Sequence, residues 1–464
     1  MNNNILYFII FFTLISIFSG IILPCCNGVD QDNDISVNYF QKTDSLAQYL
    51  INNTCDGYTL ISPREVYHPI LIDMQGRIIY ESSIYGYPAK MLPTGKLIGS
   101  IVTNGKFNIF IRKGTLYKYV LKEEWNNSIT WEFNNWTDKW AFQHHDFHLV
   151  SSPVYYSPDH KTNVDGKLLI LARLDNIDNK SISWCPLQDD VIYEVDENGS
   201  LTGFEWHSND HYDEMGFDKI SKIGLYFCPA GQGWLHLNTC AEVGDNKWYQ
   251  QGYEQFSPEN IITCSRHANI IFIINKTTGK IDWKIGPNYY NSPEQKLGQI
   301  IGPHSAHIIP EGLPGEGNML IFDNGGFAGY GFLGGFFCFP KRYFRLYSRI
   351  IEFNPVNLDI VWEYTEKKDQ RIELENKEMF ISWIMSSVQR LPNGNTLIAE
   401  GTTGRIFEVN NESEILWQYE YENNGIAPWN NWVYRAYRIP PEWVPGNPSG
   451  YTFWSDLYEK NFEI

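Results

Sequence analysis

Five short stretches of this 464-residue chain place histidine, arginine, asparagine or serine among apolar neighbours. They read His144-His145-Asp146-Phe147, Trp234-Leu235-His236-Leu237-Asn238, Thr263-Cys264-Ser265-Arg266-His267, Gly302-Pro303-His304-Ser305-Ala306-His307, and Ser386-Ser387 ahead of Gln389. On a β-strand, His236 and Asn238 stand at i and i+2 and share one face. If the other stretches turn the same way, several imidazoles meet in one small volume. Imidazole can be a nucleophile, a hydrogen-bond donor or a carrier of protons. Arg266 adds a planar cationic fork suited to a tetrahedral oxyanion. That combination fits a sulfate or phosphate ester.

Other uses of the same residues compete. A single core histidine most often just satisfies a backbone carbonyl, and the chain has 11. His145, His236 and His304 are also able to hold zinc. No Asp or Glu stands beside them at a known ligand spacing, however, and Arg266 would repel the ion. His207 and His211 follow a hairpin end and read as loop residues, and the Cys spacings match no zinc pattern. The expectation is a site with no metal and no cofactor.

Such residues need rigid elements to aim them, and a repeat supplies these. A β-rich strand, a polar turn and a second strand ending in an aromatic recur at Ile70–Tyr80, Tyr117–Trp131, Ile192–Trp206, Ile271–Trp283, Ile350–Trp362 and Ile406–Trp417. Apolar alternation around a polar turn is the hairpin signal. Between hairpins comes a turn leading into an apolar strand, at Pro93–Ile98, Asp165–Leu171, Pro258–Thr263, Gly315–Phe322 and Pro392–Ile398. Each unit thus supplies about four strands, the content of a propeller blade. The reading is an all-β, six-bladed β-propeller forming a single domain over 58–437, favoured over a sandwich or stacked barrels by the regular return of the unit. The polar stretches fall where innermost strands would line a central channel. Residues 29–57 read as a lead-in, and 438–464, rich in Pro and aromatics, as a tail packed on the ring.

Composition narrows the class of function. Aromatic residues make 16% of the chain, which favours sheet, and the formal net charge of -18 argues against a nucleic-acid partner. Ile5–Leu23 is almost wholly apolar and is followed by Pro24-Cys25-Cys26-Asn27-Gly28, so 1–28 reads as a secretory signal peptide. The run is also long enough for an uncleaved anchor, the one circumstance in which a membrane would be a partner. Sequons begin at Asn52, Asn126, Asn135, Asn179, Asn198, Asn275 and Asn411, and Cys55, Cys185, Cys228, Cys240, Cys264 and Cys338 remain outside the leader. Both suit a secreted or lumenal glycoprotein with disulfides, Cys228–Cys240 being favoured by its short loop.

The motif order carries a family resemblance. HHD, then WLHLN, then SRH with INKTTGKIDWKIG, then GPHSAH with LIFDNGG, then SSVQRLPNGNTLIAEG with GRIFEV resembles the arylsulfotransferase family. Those enzymes take the sulfuryl group from aryl sulfate esters instead of a nucleotide sulfate. The resemblance runs from about Tyr58 to Tyr437 and is most specific between Trp234 and Gly326. It implies a six-bladed propeller, a ping-pong mechanism and a transient sulfohistidine. By motif, His304 is the nucleophile, and His236, Arg266 and His145 are its catalytic companions. Asn238, His144 and Ser387 complete the substrate-binding set, and the partners are a small-molecule aryl sulfate donor and a phenolic acceptor. The absence of a Gly-rich phosphate loop agrees with a donor that is not a nucleotide. The alternatives are a catalytically silent propeller acting in binding or adhesion, and a quinone-dependent dehydrogenase.

Overall fold

The computed structural model describes residues 48–49, 53–64, 67–102, 117–123, 125–133, 142–159, 166–227, 233–331, 343–365, 380–423 and 429–459. The chain divides into two compact units, Met1–Asp44 and Ser45–Ile464, and every described residue belongs to the second. The leader at 1–28 and most of the lead-in lie outside the described residues.

All six hairpins read from the sequence form. Ile270–Ile274 pairs with Ile281–Ile285, and Arg349–Phe353 with Ile360–Tyr364. Middle strands are apolar on both faces because each sheet stacks on its neighbours. Ile270–Ile274 is buried throughout, whereas the outer strand Ile360–Tyr364 is largely exposed. Leu320, Phe322 and Ile350 of one sheet, for example, pack against Ile398 and Phe407 of the next.

The fold is an all-β propeller, with one correction. The sequence predicts six separate blades; the structure has five. Eight strands between Tyr85 and His207 form one sheet, in which Tyr117–Glu123 pairs with Phe142–Leu149 through a single couple, Tyr117 with Gln143. That edge pairing fuses two meanders that the repeat presents as independent. The other propeller sheets are Ala241–Glu242 with Ile261–Ser265, Ile270–Ile274 and Ile281–Ile285; His304–Ile308 with Met319–Asp323, Arg349–Phe353 and Ile360–Tyr364; and Ser387–Arg390 with Thr396–Glu400, Arg405–Val409 and Ile415–Glu420, to which Gln48–Tyr49 adds. In the last sheet Val433–Ile439 pairs with Tyr58–Pro63, which leads to Ile70–Ile72 and Ile78–Glu81. Early and late chain therefore meet in one sheet and close the ring. A short ribbon, Gly326–Ala328 with Tyr343–Arg345, stands apart.

The closing strand ends at Ile439, two residues past the predicted boundary at 437. Beyond it Trp454 is fully buried and its Nε1 donates to Asp56 O at 2.7 Å. No helix among the described residues is long and apolar enough to cross a membrane. Cys55, Cys185, Cys240 and Cys264 are free thiols. The favoured Cys228–Cys240 bridge is not seen. Cys240 is sealed in a core cluster with Trp234, Leu235 and Ile270, and Cys228 lies outside the described residues.

Candidate active site

Two inner strands bulge where polar stretches lie. In His304–Ile308, His304 faces Phe322 but His307 faces Leu320, so the inner strand carries one extra residue. In Phe142–Leu149, Gln143 faces Ala172 and Phe147 faces Ile170, which leaves His144, His145 and Asp146 opposite a single residue. Left-handed backbone accompanies these bulges at His145 and Ser305, with φ of 58° and 56°, and recurs outside the named strands at His236, with φ of 56°. A bulge re-aims side chains out of the alternating pattern.

His304 is 2% exposed. Its Nδ1 lies 2.7 Å from Asn324 Oδ1 and 3.0 Å from Gly302 O. The Asn324 amide cannot turn over, because its Nδ2 donates to Ser382 O at 2.6 Å and to Met385 O at 3.0 Å. Both partners of Nδ1 are thus acceptors, so Nδ1 carries the proton and Nε2 the lone pair. No hydrogen bond among the described residues engages that Nε2. Burial, followed by the charge of Arg266, pushes the His304 pKa down to about 3. Gly302 has φ +64°, and a Cβ there would lie 3.8 Å from Arg266 Cγ, so the Arg266 stem crosses this turn. Gly325, next to Asn324, is required: a Cβ would come within 2.3 Å of Tyr347 O.

The remaining imidazoles form a chain. Ring centroids are 4.9 Å apart between His144 and His145, 4.5 Å between His145 and His236, and 4.6 Å between His236 and His267. Burial first, then the charges of His236, His144 and His304, hold His145 well below the ordinary imidazole pKa. His236 and Arg266 are half-buried, and the Arg266 backbone N–H donates to His236 O at 3.2 Å. His267 anchors through Nδ1 to Gly233 O at 2.8 Å. His145, His236, Arg266 and His304 therefore come together.

Asn238 and Ser387 are set differently. The Asn238 Nδ2 donates to Pro303 O at 2.8 Å, and its Oδ1 accepts from Cys264 Sγ at 3.1 Å. It braces the residue preceding His304. The Ser387 hydroxyl donates to Ala436 O at 3.1 Å and accepts from Ala436 N at 3.0 Å, which ties two inner strands together.

Beneath the imidazoles lies a buried charge cluster. Asp146 pairs with Lys90 at 2.8 Å and with Arg435 at 3.1 Å. Despite its burial, Arg435 and Lys90 keep its carboxyl below the usual range. Arg435 also donates to Asn238 O, and the Tyr434 hydroxyl donates to His145 O at 2.6 Å. Sequence reasoning had Asp146 only as part of the HHD stretch and singled out neither Lys90, Tyr434 and Arg435 nor Asn324 and Asp190. The LIFDNGG segment contained Asn324, and a polar residue directly after a buried strand was the available signal. Among the described residues, no group of three or more His, Cys, Asp or Glu is placed to hold a metal ion.

Fold and site together define a β-propeller with a cluster of closely packed imidazoles among its inner strands. Residues 49–435 match the family described as Arylsulfotransferase (ASST), and the chain belongs to that family. No curated protein matches it. Among solved structures it is similar to a protein of unknown function from Bacteroides caccae, at 10% identity, 82% of this chain, 98% of that one and a TM-score of 0.43. It is also similar to apo AztD from Citrobacter koseri, at 7% identity, 83% and 98% coverage and a TM-score of 0.38. For virginiamycin B lyase from Staphylococcus aureus the values are 9%, 82%, 89% and 0.32.

Proposed function

We propose that this chain is an aryl-sulfate-dependent sulfotransferase that works by a ping-pong mechanism through a sulfohistidine on His304. The observation that carries the reading is the pair of acceptors on His304 Nδ1, Asn324 Oδ1 and Gly302 O. It leaves a neutral imidazole with its Nε2 lone pair available to attack sulfur. The N–S bond forms as the S–O(aryl) bond breaks, and the phenoxide leaves with the bonding pair and takes up a proton. Asn324 disperses the positive charge that develops on the ring. Arg266 and His236 hold the sulfuryl oxygens as charge shifts, a role worth several kcal/mol in comparable oxyanion sites. A phenolic acceptor then attacks sulfur, the N–S bond breaks and His304 is restored. Splitting the transfer lets one pocket serve donor and acceptor in turn. The enzyme is secretory in this reading, on the strength of the Ile5–Leu23 run and the sequons.

The test uses 4-nitrophenyl sulfate as donor. Donor alone should leave one sulfuryl group on the peptide containing His304, seen by mass spectrometry under non-acidic handling, with a matching burst of 4-nitrophenol. His304→Ala should abolish burst and turnover while its thermal melt stays cooperative. Near-normal turnover in His304→Ala, or an adduct elsewhere, overturns the assignment.

A further inference from the structure

Lys90 holds a donor that the buried charge cluster does not use. Its ammonium carries three N–H groups. One goes to Asp146 Oδ1 at 2.8 Å and one to Phe147 O. No acceptor among the described residues takes the third. The side chain keeps 18% of its surface exposed and lines a cleft. Tyr437 lines the same cleft. Its hydroxyl oxygen accepts from Arg435 Nη1 at 3.3 Å, and its own O–H has no acceptor among the described residues. The cleft takes residues that end their strands, Met91 of Tyr85–Met91, Leu149 of Phe142–Leu149 and Ile439 of Val433–Ile439, whereas His304 opens His304–Ile308. None of His145, His236, Arg266 and His304 lines it.

Charge in this cluster is unbalanced as well. Lys90 and Arg435 both pair with Asp146, whose oxygens also accept the Phe147 and Cys240 backbone N–H groups. Two cations on one carboxylate leave a positive charge unmatched, and a buried charge without a partner is costly. Burial lowers the Lys90 pKa and Asp146 works against it; an anion in the cleft would act with Asp146 to keep the ammonium charged. His148 on the same wall adds no charge, because burial pushes its pKa down to about 3. Arg438 also lines the cleft and is paired with Glu408 at 3.2 Å. The remaining walls are largely apolar, with Phe147, Tyr155, Tyr156 and Trp443 prominent. The space inside is about 60 Å³. That is about twice the ~30 Å³ share of a water molecule and far below the ~150 Å³ of a cavity that takes up benzene. An aryl sulfate or a phenol is too large for it; a carboxylate with a tail of one or two carbons is not.

We propose that this cleft is a binding site for a short-chain carboxylate, held by the Lys90 ammonium and the Tyr437 hydroxyl with its alkyl tail against the aromatic walls. A carboxylate offers two acceptor oxygens and one negative charge, which is what two unused donors and one unmatched cation call for. Hydrogen bonds to a charged partner are the strong ones. Water also accepts hydrogen bonds, but it leaves the charge unmatched and gains nothing from the aromatic side chains. The site does not depend on the sulfotransfer reading, since it shares none of the residues placed around sulfur.

The test is a ligand-observed NMR titration of the full chain with propionate at pH 7 and constant ionic strength, with 1-propanol as the neutral control. Propionate should saturate one site, and 1-propanol should bind at least about tenfold more weakly. Lys90→Met should weaken propionate at least about tenfold. That change also strips Asp146 of a partner, so its fold is checked by circular dichroism. Tyr437→Phe keeps the ring and tests the site independently, with an expected loss of about three- to tenfold. Arg266→Met should leave propionate binding unchanged, and 4-nitrophenyl sulfate should not displace it. No saturable binding, equal affinity for 1-propanol, or affinity that survives in a folded Lys90→Met or in Tyr437→Phe overturns the site. Displacement by 4-nitrophenyl sulfate, or loss in Arg266→Met, overturns it too, because the anion then lies among the catalytic imidazoles. Failure of sulfation at His304 would remove the sulfotransfer reading and leave this site untouched.

Discussion

An imidazole with its proton on the wrong nitrogen would be useless at His304, and Asn324 decides which nitrogen that is. Neutral amide chemistry matters here as much as position. The buried ring has a pKa of about 3, so it is unprotonated from neutral pH down to about that value. Protonation removes the nucleophile, so the acidic limb of kcat/KM set by this group should fall near pH 3. Asn324→Asp puts a carboxylate 2.7 Å from Nδ1, still able to accept its proton but favouring the imidazolium. The limb should then move up toward neutral pH, with activity at pH 5 at least about tenfold below wild type and recovering as pH rises. Asn324→Leu removes the shorter of the two acceptors and leaves only Gly302 O on Nδ1, and it should slow the reaction at every pH. Profiles of kcat/KM with 4-nitrophenyl sulfate from pH 4 to 9 check both. An unmoved limb in Asn324→Asp would show that another group controls it.

Bulged inner strands are the elements that convert a repetitive sheet into a site. Ser305 holds φ 56° between His304 and the rest of its strand, and its hydroxyl reaches Tyr155 OH at 3.1 Å. A β-branched residue tolerates that backbone poorly. Ser305→Val should cost about 2 kcal/mol in urea denaturation and lower turnover, whereas Ser305→Gly should lose less stability. The hairpins themselves were legible in the sequence, since alternation around a polar turn marks each one from Ile70–Tyr80 to Ile406–Trp417. The polar stretches were legible as interruptions of that pattern. Their partners were not. Asp190 sits in Leu187–Val195 beside Asp189, where a pair of acids reads as a solvated face, and Arg435 lies in a closing strand that no hairpin announces. The fusion at Tyr117 and Gln143 also has no signature, because two strand edges pair through backbone groups that every residue has. The hairpin turns carry a further expectation. Asn126, Asn198 and Asn411 are exposed in tight hairpin turns, with Asn275 half-buried in another. If the chain enters the secretory pathway, endoglycosidase should shift the mobility of the protein expressed in a eukaryotic host, and mass spectrometry should find glycans at these turns. Unmodified protein would argue against secretion.

At the scale of the whole molecule, a propeller that aims imidazoles inward buries groups that would rather be charged in acid. Burial pushes His148 and His304 down to about 3 and His307 to about 4, from an ordinary value of 6.5. His307 shows why: burial dominates, with Tyr155 over its ring at a centroid distance of 4.8 Å, and the bond from its Nδ1 to Ser305 O at 2.8 Å, which favours the charged ring, offsets this only in part. An imidazole whose folded pKa lies below its unfolded one contributes full stability above the unfolded value. That contribution declines as pH falls from about 6.5 toward the folded value, because only the unfolded chain takes up the proton. One pKa unit is about 1.36 kcal/mol, so each of the three should lose roughly 2 kcal/mol between pH 7 and pH 5. Some groups act in the opposite sense. Burial raises Glu242 and Glu408, so their ionised forms oppose folding less as pH falls, and His207, held up by Asp189 and Glu205 against its partial burial, gains protons in the native state. These offset part of the loss. The three histidines together still remove an amount comparable to the stability of an ordinary domain, about 5–15 kcal/mol. The urea midpoint should therefore drop steeply between pH 7 and pH 5, and His307→Gln, which keeps a polar side chain but does not titrate, should remove about 2 kcal/mol of that drop. A midpoint independent of pH over this range would mean that the channel imidazoles are hydrated in the native protein, which would also undo the low pKa on which the neutral His304 nucleophile depends.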